Sequence, residues 1–192
     1  MIQHAASTSR VAIPTLTTPR FVMRPLRRSD AAALLPTLGD EAQCRYLSRP
    51  AFSSEEELWS WLADPSWTGL TWIAQDTDGQ VVGRFVAVPQ DEAGVEEIGY
   101  ITCANRQGKG IALECTAALI AHLFGGDKPA HRLKAEVDAD NVPSIRLLER
   151  LGFVREALHL SYEETHKGIC DVAIYTLSRE AYAASASQMR DT

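Results

Sequence analysis

The stretch NRQGKGIALE, Asn105 to Glu114, sets two glycines, one residue apart, in front of a run of good helix formers. VEEIGYIT just before it, Val95 to Thr102, reads as a strand. Two physical reasons exist for leaving a strand and entering a helix through so bare a turn. Glycine permits backbone conformations that other residues resist. Free N–H groups at a helix start also make a phosphate cradle, helped by the positive end of the helix dipole. The stretch is not a P-loop, because no Ser or Thr follows Lys109, and it is not GxGxxG, because Leu113 stands at the third glycine position. Its preceding strand belongs to an antiparallel meander rather than to a βαβ dinucleotide unit. Taken alone, the turn leaves both readings open.

Upstream of it, LTWIAQ (70–75) and QVVGRFVAV (80–88) flank Asp78-Gly79, a hairpin signal, so three antiparallel strands run into the turn. Earlier still, FVMRPL (21–26) is a short strand. Ser29-Asp30 opens a short helix that Pro36 and Gly39 disturb or end, and Ser53-Ser54 before Glu55, Glu56 and Glu57 caps a second, with Leu58, Trp61 and Leu62 on its buried face. Downstream, a helix from Gly110 to Phe124 ends at Gly125-Gly126. HRLKAEV (131–137) alternates as a strand, Asp140 to Pro143 opens a helix running to Leu151 and Gly152, and strands at 154–163 and 169–177 flank the turn at 165–168. The result is one mixed α/β domain of α+β type without internal repeats. A loose arm is expected over residues 1–18, the domain over 19–182 and a frayed tail over 183–192.

On a wheel of the 141–151 helix, Leu147, Leu148 and Leu151 fall within roughly 60° of Ser144. A hydroxyl on an apolar face needs a partner. It either bonds its own helix or points into a pocket. Asn141 is open in the same way, as an N-cap or as a ligand for an amide.

QGKGIA, Gln107 to Ala112, matches the Q/R-x-x-G-x-G/A motif of the GNAT acyltransferases, which use acetyl-CoA. NVPSIRLLERLGF, Asn141 to Phe153, resembles their N-x-x-S signature followed by a helix ending in Gly-Phe. The resemblance runs from about Pro19 to Tyr182 and is nearest to the ribosomal-protein-alanine N-acetyltransferase branch, whose opening TPRFVMRPLRRSDA and closing DVAIYTL resemble. It implies a mixed, mostly antiparallel central sheet with helices on both faces and splayed strands that hold the acyl-CoA. It further implies that Gln107, Gly108, Lys109, Gly110, Ile111 and Ala112 cradle the pyrophosphate. Tyr100, Ile101 and Thr102 would pair with the pantetheine arm, and Asn141 would bond the pantetheine or a nearby amide. The position often filled by a Tyr acid in the superfamily is Leu148 here. In the branch, a serine, here Ser144, takes over protonation of the thiolate, paired with a glutamate that falls at Glu163 by count from Gly152.

Direct attack of an amine on a thioester requires a proton to be removed. An α-amine of pKa near 7.7–8.0 is roughly a tenth free at pH 7, whereas a lysine near 10.4 needs on the order of 4–5 kcal/mol more help. One carboxylate serves the first case. Glu163 is the first candidate for the base and Glu97, on the strand entering the turn, the second; each has the alternative of being a solvated strand carboxylate. By strand alternation His159 shares a face with Ser161 and Glu163, and it is a further candidate for a catalytic role. Of Trp59, Trp61, Trp67 and Trp72, most belong to the core and one or two line the acceptor site.

The expected reaction is acetyl transfer from acetyl-CoA, as co-substrate, to a primary amine, with a protein or peptide N-terminal α-amine first. A small amine (amino acid, polyamine or aminoglycoside) is the alternative, and a non-catalytic acetyl-CoA sensor is the alternative from another class. A net charge of −6 does not suit general nucleic-acid binding. Cys44, Cys103, Cys115 and Cys170, and the five histidines, lack metal-ligand spacing, so no metal is expected and the cysteines are read as small core residues. The longest apolar segment, 111–124, is too short and polar to span a bilayer, and the N-terminus has no apolar h-region, so a cytoplasmic monomer or homodimer is expected.

Overall fold

The computed structural model describes residues 13–188. Within them, the strands Leu16–Thr17 (β1), Val22–Pro25 (β2), Leu70–Gln75 (β3), Val81–Pro89 (β4), Val95–Thr102 (β5), Arg132–Asp138 (β6), Val154–Thr165 (β7) and Gly168–Ser178 (β8) form one sheet in the order β1-β2-β3-β4-β5-β6-β8-β7. Every neighbouring pair is antiparallel except β5 and β6. That parallel pair registers only Val95 to Glu97 against Arg132 to Lys134. Beyond Glu97 the two strands part, and the wedge between them is where the cleft described below opens.

The helices divide between the two faces. Asp30–Leu38 (α1) and Glu55–Leu62 (α2) pack with Ile73, Val81, Ile101 and Cys103 on one face. Ile111–Gly125 (α3) and Val142–Arg150 (α4) pack with Phe85, Ile98, Leu133 and Tyr175 on the other. Strand alternation does this sorting, since successive side chains point to opposite faces. Thus Ile98, Tyr100 and Thr102 of β5 face α3 and α4, and Glu97, Gly99 and Ile101 face the α1/α2 side. Helix α2 starts as its sequence signals: Ser54 Oγ accepts from Glu57 N at 3.2 Å, while Glu57 reaches back to Ser53 N at 2.8 Å. Pro36 lies within α1, which runs on to Leu38 before Gly39 ends it.

Three expectations need correction. The arm is docked from residue 13 onward: Leu16 and Thr17 pair with β2, and Trp72 Nε1 donates to Pro14 O at 2.9 Å. The remainder of that arm, 1–12, lies outside the described residues, as do the last four residues of the tail. The tail expected to fray from 183 is helical, Arg179–Gln188 (α5), and Tyr182 packs on Phe124 with ring centroids 5.2 Å apart. The alternation assumed along β7 fails, because a register shift falls between His159 and Glu163 and Ser161 has φ +49°. His159 stacks on Tyr162 instead, at 4.8 Å. Cys44, Cys103 and Cys115 are buried and Cys170 is part-buried, all as free thiols.

One buried ion pair fastens β2 to α1. Arg24 donates to both carboxylate oxygens of Asp30, at 2.8 and 2.7 Å, and also to Gln75 and Pro25 O. Asp30 additionally accepts from Arg27 N at 2.7 Å. Both side chains are almost wholly buried. Removing one partner strands the other charge, so Asp30→Ala is expected to lower unfolding free energy by about 3–5 kcal/mol in urea titrations.

Candidate active site

The cleft between the parting strands has a volume of about 800 Å³. Tyr100, Ile101 and Thr102 form its β5 wall and Ala135 to Asp138 its β6 wall; Asn141, Ser144, Leu147 and Leu148 of α4 line it, and the glycine turn closes one end. Ala42, Gln43, Tyr46 and Leu47, from the segment joining α1 to α2, also line it. That segment is pinned across the opening by Gln107 Nε2, which donates to Gln43 Oε1 at 2.8 Å, and by Tyr46 OH, which donates to Asp140 O at 3.2 Å.

At the turn, Gly108 and Gly110 have φ of +73° and +75°, in the left-handed region that L side chains rarely adopt. A Cβ on residue 108 would point into open space. The first bond of the α3 ladder runs from Glu114 N to Gly110 O at 3.1 Å. Among the described residues, the N–H groups from Gly108 to Leu113 have no acceptor. A row of free donors at the positive end of a 15-residue helix fits a pyrophosphate. From behind, Arg20 holds the turn by donating to Lys109 O at 3.1 Å and pairing with Glu114 at 2.6 Å. Lys109, expected in the cradle, is not among the residues that line the cleft; it lines a separate cavity of about 310 Å³ with Arg20 and Arg106.

Ser144 and Asn141 resolve in different ways. Asn141 is the N-cap of α4 and its Oδ1 accepts from Ser144 N at 3.2 Å. Ser144 Oγ turns away from its own helix and shares a 2.7 Å hydrogen bond with Tyr100 OH. Burial pushes the Tyr100 phenol up to about 12, against the opposing effect of that bond, so it stays protonated. The family resemblance implied only a backbone role for Tyr100. Its alternation with Ile98 and Thr102 toward α4 is the signal that could have revealed its side chain. Leu148, where an acid is often found, is fully packed in the core.

The candidate bases differ in setting. Glu97 is part-buried at the last paired position before β5 and β6 separate, on the face opposite Tyr100 and Ser144. Burial holds its carboxyl above the ordinary 4.5, with Glu136 and Glu163 pushing the same way and Lys134 opposing. Glu163 is exposed on β7, opposite Cys170, beyond the register shift. Neither carboxylate is among the residues that line the cleft itself. Trp72 belongs to the core, whereas Trp61 and Trp67 stack about Arg84.

Residues 20–154 match the model of the acetyltransferase (GNAT) domain. The chain belongs to the GNAT acetyltransferase family. It is 32% identical over 178 residues to an uncharacterized N-acetyltransferase, p20, of Bacillus licheniformis, covering 88% of this chain and 98% of the relative. Among solved structures it is similar to Mycobacterium smegmatis RimJ in complex with CoA-disulfide (TM-score 0.71, 22% identity, 90% and 93% of the chains). It is similar also to spermidine N-acetyltransferase from Vibrio cholerae in complex with CoA and spermine (TM-score 0.74, 18% identity, 85% and 98%). These identities show a shared fold. The acetyltransferase contains, among the described residues, no helix long and apolar enough to cross a membrane.

If the turn is the cradle, Gly108→Val places a side chain where the diphosphate would lie and strains a left-handed residue by roughly 1–2 kcal/mol. Calorimetric titration with acetyl-CoA and with free CoA should show affinity reduced at least about tenfold, or 1.4 kcal/mol, while the variant still folds cooperatively.

Proposed function

We propose that this acetyltransferase moves acetyl from acetyl-CoA to the α-amine of a peptide or protein N-terminus by direct attack in a ternary complex. The observation that carries the reading is the placement of Glu97 and the Ser144–Tyr100 pair on opposite faces of one strand, at the point where the sheet opens. Gln107 to Ala112 would hold the pyrophosphate, through the free amides of the turn. The unpaired edge of Tyr100 to Thr102 would take the pantetheine, with the Asn141 amide close by. The co-substrate supplies an activated acetyl thioester.

The amine approaches from the α1/α2 side. As its nitrogen bonds to the carbonyl carbon, Glu97 accepts the proton that the nitrogen sheds, directly or through water. When the carbon–sulfur bond breaks, Ser144 Oγ, held by its hydrogen bond to Tyr100 OH, gives its proton to the departing sulfur; solvent then returns a proton to Ser144 and takes the one held by Glu97. The hydroxyl that Leu148 lacks is thereby supplied one turn earlier on α4. This argues for turnover rather than a silent sensor, because a bonded Ser–Tyr pair in the cleft is more than a coenzyme grip requires. Glu163 acts on Glu97 by charge and is the second candidate for the base. An α-amine suits a single raised carboxylate, since both titrate within a few units of neutrality. The spermine-bound neighbour keeps small amines as a second reading, and the carboxylates Glu97, Glu136 and Glu163 together favour a cationic acceptor of either kind.

Variant kinetics and the wild-type pH profile test this. Glu97→Gln should lower kcat about 10²-fold or more with the acetyl-CoA affinity little changed. In the wild type, kcat/KM should fall with acidity through a limb lying above the ordinary carboxylate value, because the proton acceptor must be ionised and burial raises its pKa. Glu163→Gln should cost far less; the opposite order would move the base to Glu163. Ser144→Ala and Tyr100→Phe should each slow turnover, and the double variant should be no slower than the worse single one, as for groups acting as one unit.

The same Glu97 carries a stability prediction. A carboxyl with a raised folded-state pKa destabilises the fold once it ionises: the cost is absent below the unfolded pKa and complete above the folded one. Glu97→Gln should therefore raise Tm by about 1–3 °C at neutral pH and leave it unchanged at pH 4.

A further inference from the structure

Arg84 lies on β4 directly opposite Ile101, a residue that lines the cleft, and on the same face as Glu97. The Trp61 and Trp67 rings stand 4.7 and 5.6 Å from its guanidinium. The chain makes room for this arrangement: a Cβ on residue 69 would meet Trp67 Cζ2 at 2.7 Å, so Gly69 lets that indole lie flat beside the sheet. Among the described residues, Arg84 has neither a carboxylate within salt-bridge distance nor any hydrogen bond, and its buried Nε has no acceptor. Its neighbours contrast with it, for Arg24, Arg49 and Arg106 are paired with Asp30, Glu57 and Asp76. Desolvation without a counter-charge lowers Arg84 to about 10. Indole faces attract a cation, but they leave all five of its N–H donors without acceptors.

We propose that Arg84 is the anchor for a carboxylate of the acceptor, so that the preferred substrate is an amine whose own molecule carries a carboxylate. This rests on the reading that the amine reacts beside Glu97. Four residues of β5, about 13 Å, separate Ile101 from Glu97. The two residues lie on the same face of adjacent strands, so an acceptor with its amine at one end and its carboxylate at the other would span them. A fixed cation at this place disfavours polyamines, which have nothing to offer it. The carboxylate can belong to a free amino acid or to an acidic residue near the start of a peptide.

Trp61 and Trp67 provide a readout that needs no turnover. Glutamate, its methyl esters, glutamine and short peptides differing only by Glu or Gln at their second residue would be titrated against tryptophan fluorescence. The series is then repeated as acceptors with acetyl-CoA. The carboxylate-bearing members should change the fluorescence and show acceptor KM at least about tenfold lower than their neutral counterparts. Arg84→Met should abolish both differences while leaving KM for acetyl-CoA unchanged, and Arg84→Lys should restore them in part. Whether free glutamate or only the acidic peptide responds identifies the source. Equal behaviour of charged and neutral probes, or a preference that survives in both variants, overturns the assignment. Loss of acetyl-CoA binding together with retained carboxylate binding would instead sink the acetyl-transfer reading and leave the anchor standing.

Discussion

The structure depends on one short parallel contact, Val95 to Glu97 against Arg132 to Lys134, in a sheet whose other strands are antiparallel. A parallel neighbour requires a crossover, and here the crossover is the glycine turn followed by α3. The pairing stops after three residues, so β5 continues from Ile98 to Thr102 bonded to β4 on one edge only. Backbone groups on a buried edge need partners. Antiparallel sheet on both flanks keeps the wedge from collapsing: β4 holds β5 over seven registered positions, and β8 holds β6 over seven. An extended ligand that pairs like a strand fits the remaining edge.

The same wedge explains why donors and acceptors of protons can be kept apart. Alternation along β5 sends Glu97 to one face and Tyr100 to the other, three residues on. Burial raises both groups, and the sign differs in its consequence. A raised carboxyl becomes a better base near neutrality, while a raised phenol stays protonated and keeps its O–H for hydrogen bonding. On the proposed reading, one strand thus carries the base on one face and the partner of Ser144 on the other.

Much of this was legible in the sequence for physical reasons. Glycine at 108 and 110 meets a backbone requirement that few residues tolerate, and the apolar periods of α2, α3 and β6 follow from which side is buried. Family resemblance then placed the turn and the N-x-x-S helix at one site, and the cleft brings Tyr100 to Thr102, Gly108, Gly110, Asn141 and Ser144 together. What the sequence hid depends on contacts far apart in the chain. Tyr100 bonds Ser144 across 44 positions, and Gln107 bonds Gln43 across 64. The face shared by His159, Ser161 and Glu163 failed for a local reason, since a positive-φ residue at Ser161 breaks the period of two that alternation assumes. Helix α5 has too weak an apolar stripe to announce itself among Ala and Ser, and Tyr182 ties it to the core.

Polar satisfaction is distributed unevenly. At the β2–α1 junction, Arg24 and Asp30 are buried with their hydrogen bonds made, as a purely structural pair must be. Around the wedge the rule is reversed. Among the described residues, six consecutive N–H groups of the turn lack acceptors, burial raises Glu97 with Glu136 and Glu163 adding to it, and Arg84 lies between two indoles with no carboxylate within salt-bridge distance. Each of these groups would be cheaper to fold if it were replaced by a neutral or paired one. They lie on β4, on β5 and in the turn that leaves β5, and on the proposed reading each has a polarity suited to a different part of a ternary complex: donors for a diphosphate, a carboxylate for an amine, a guanidinium for an acid. On that reading, the stability withheld at these positions is what allows binding to supply the partners.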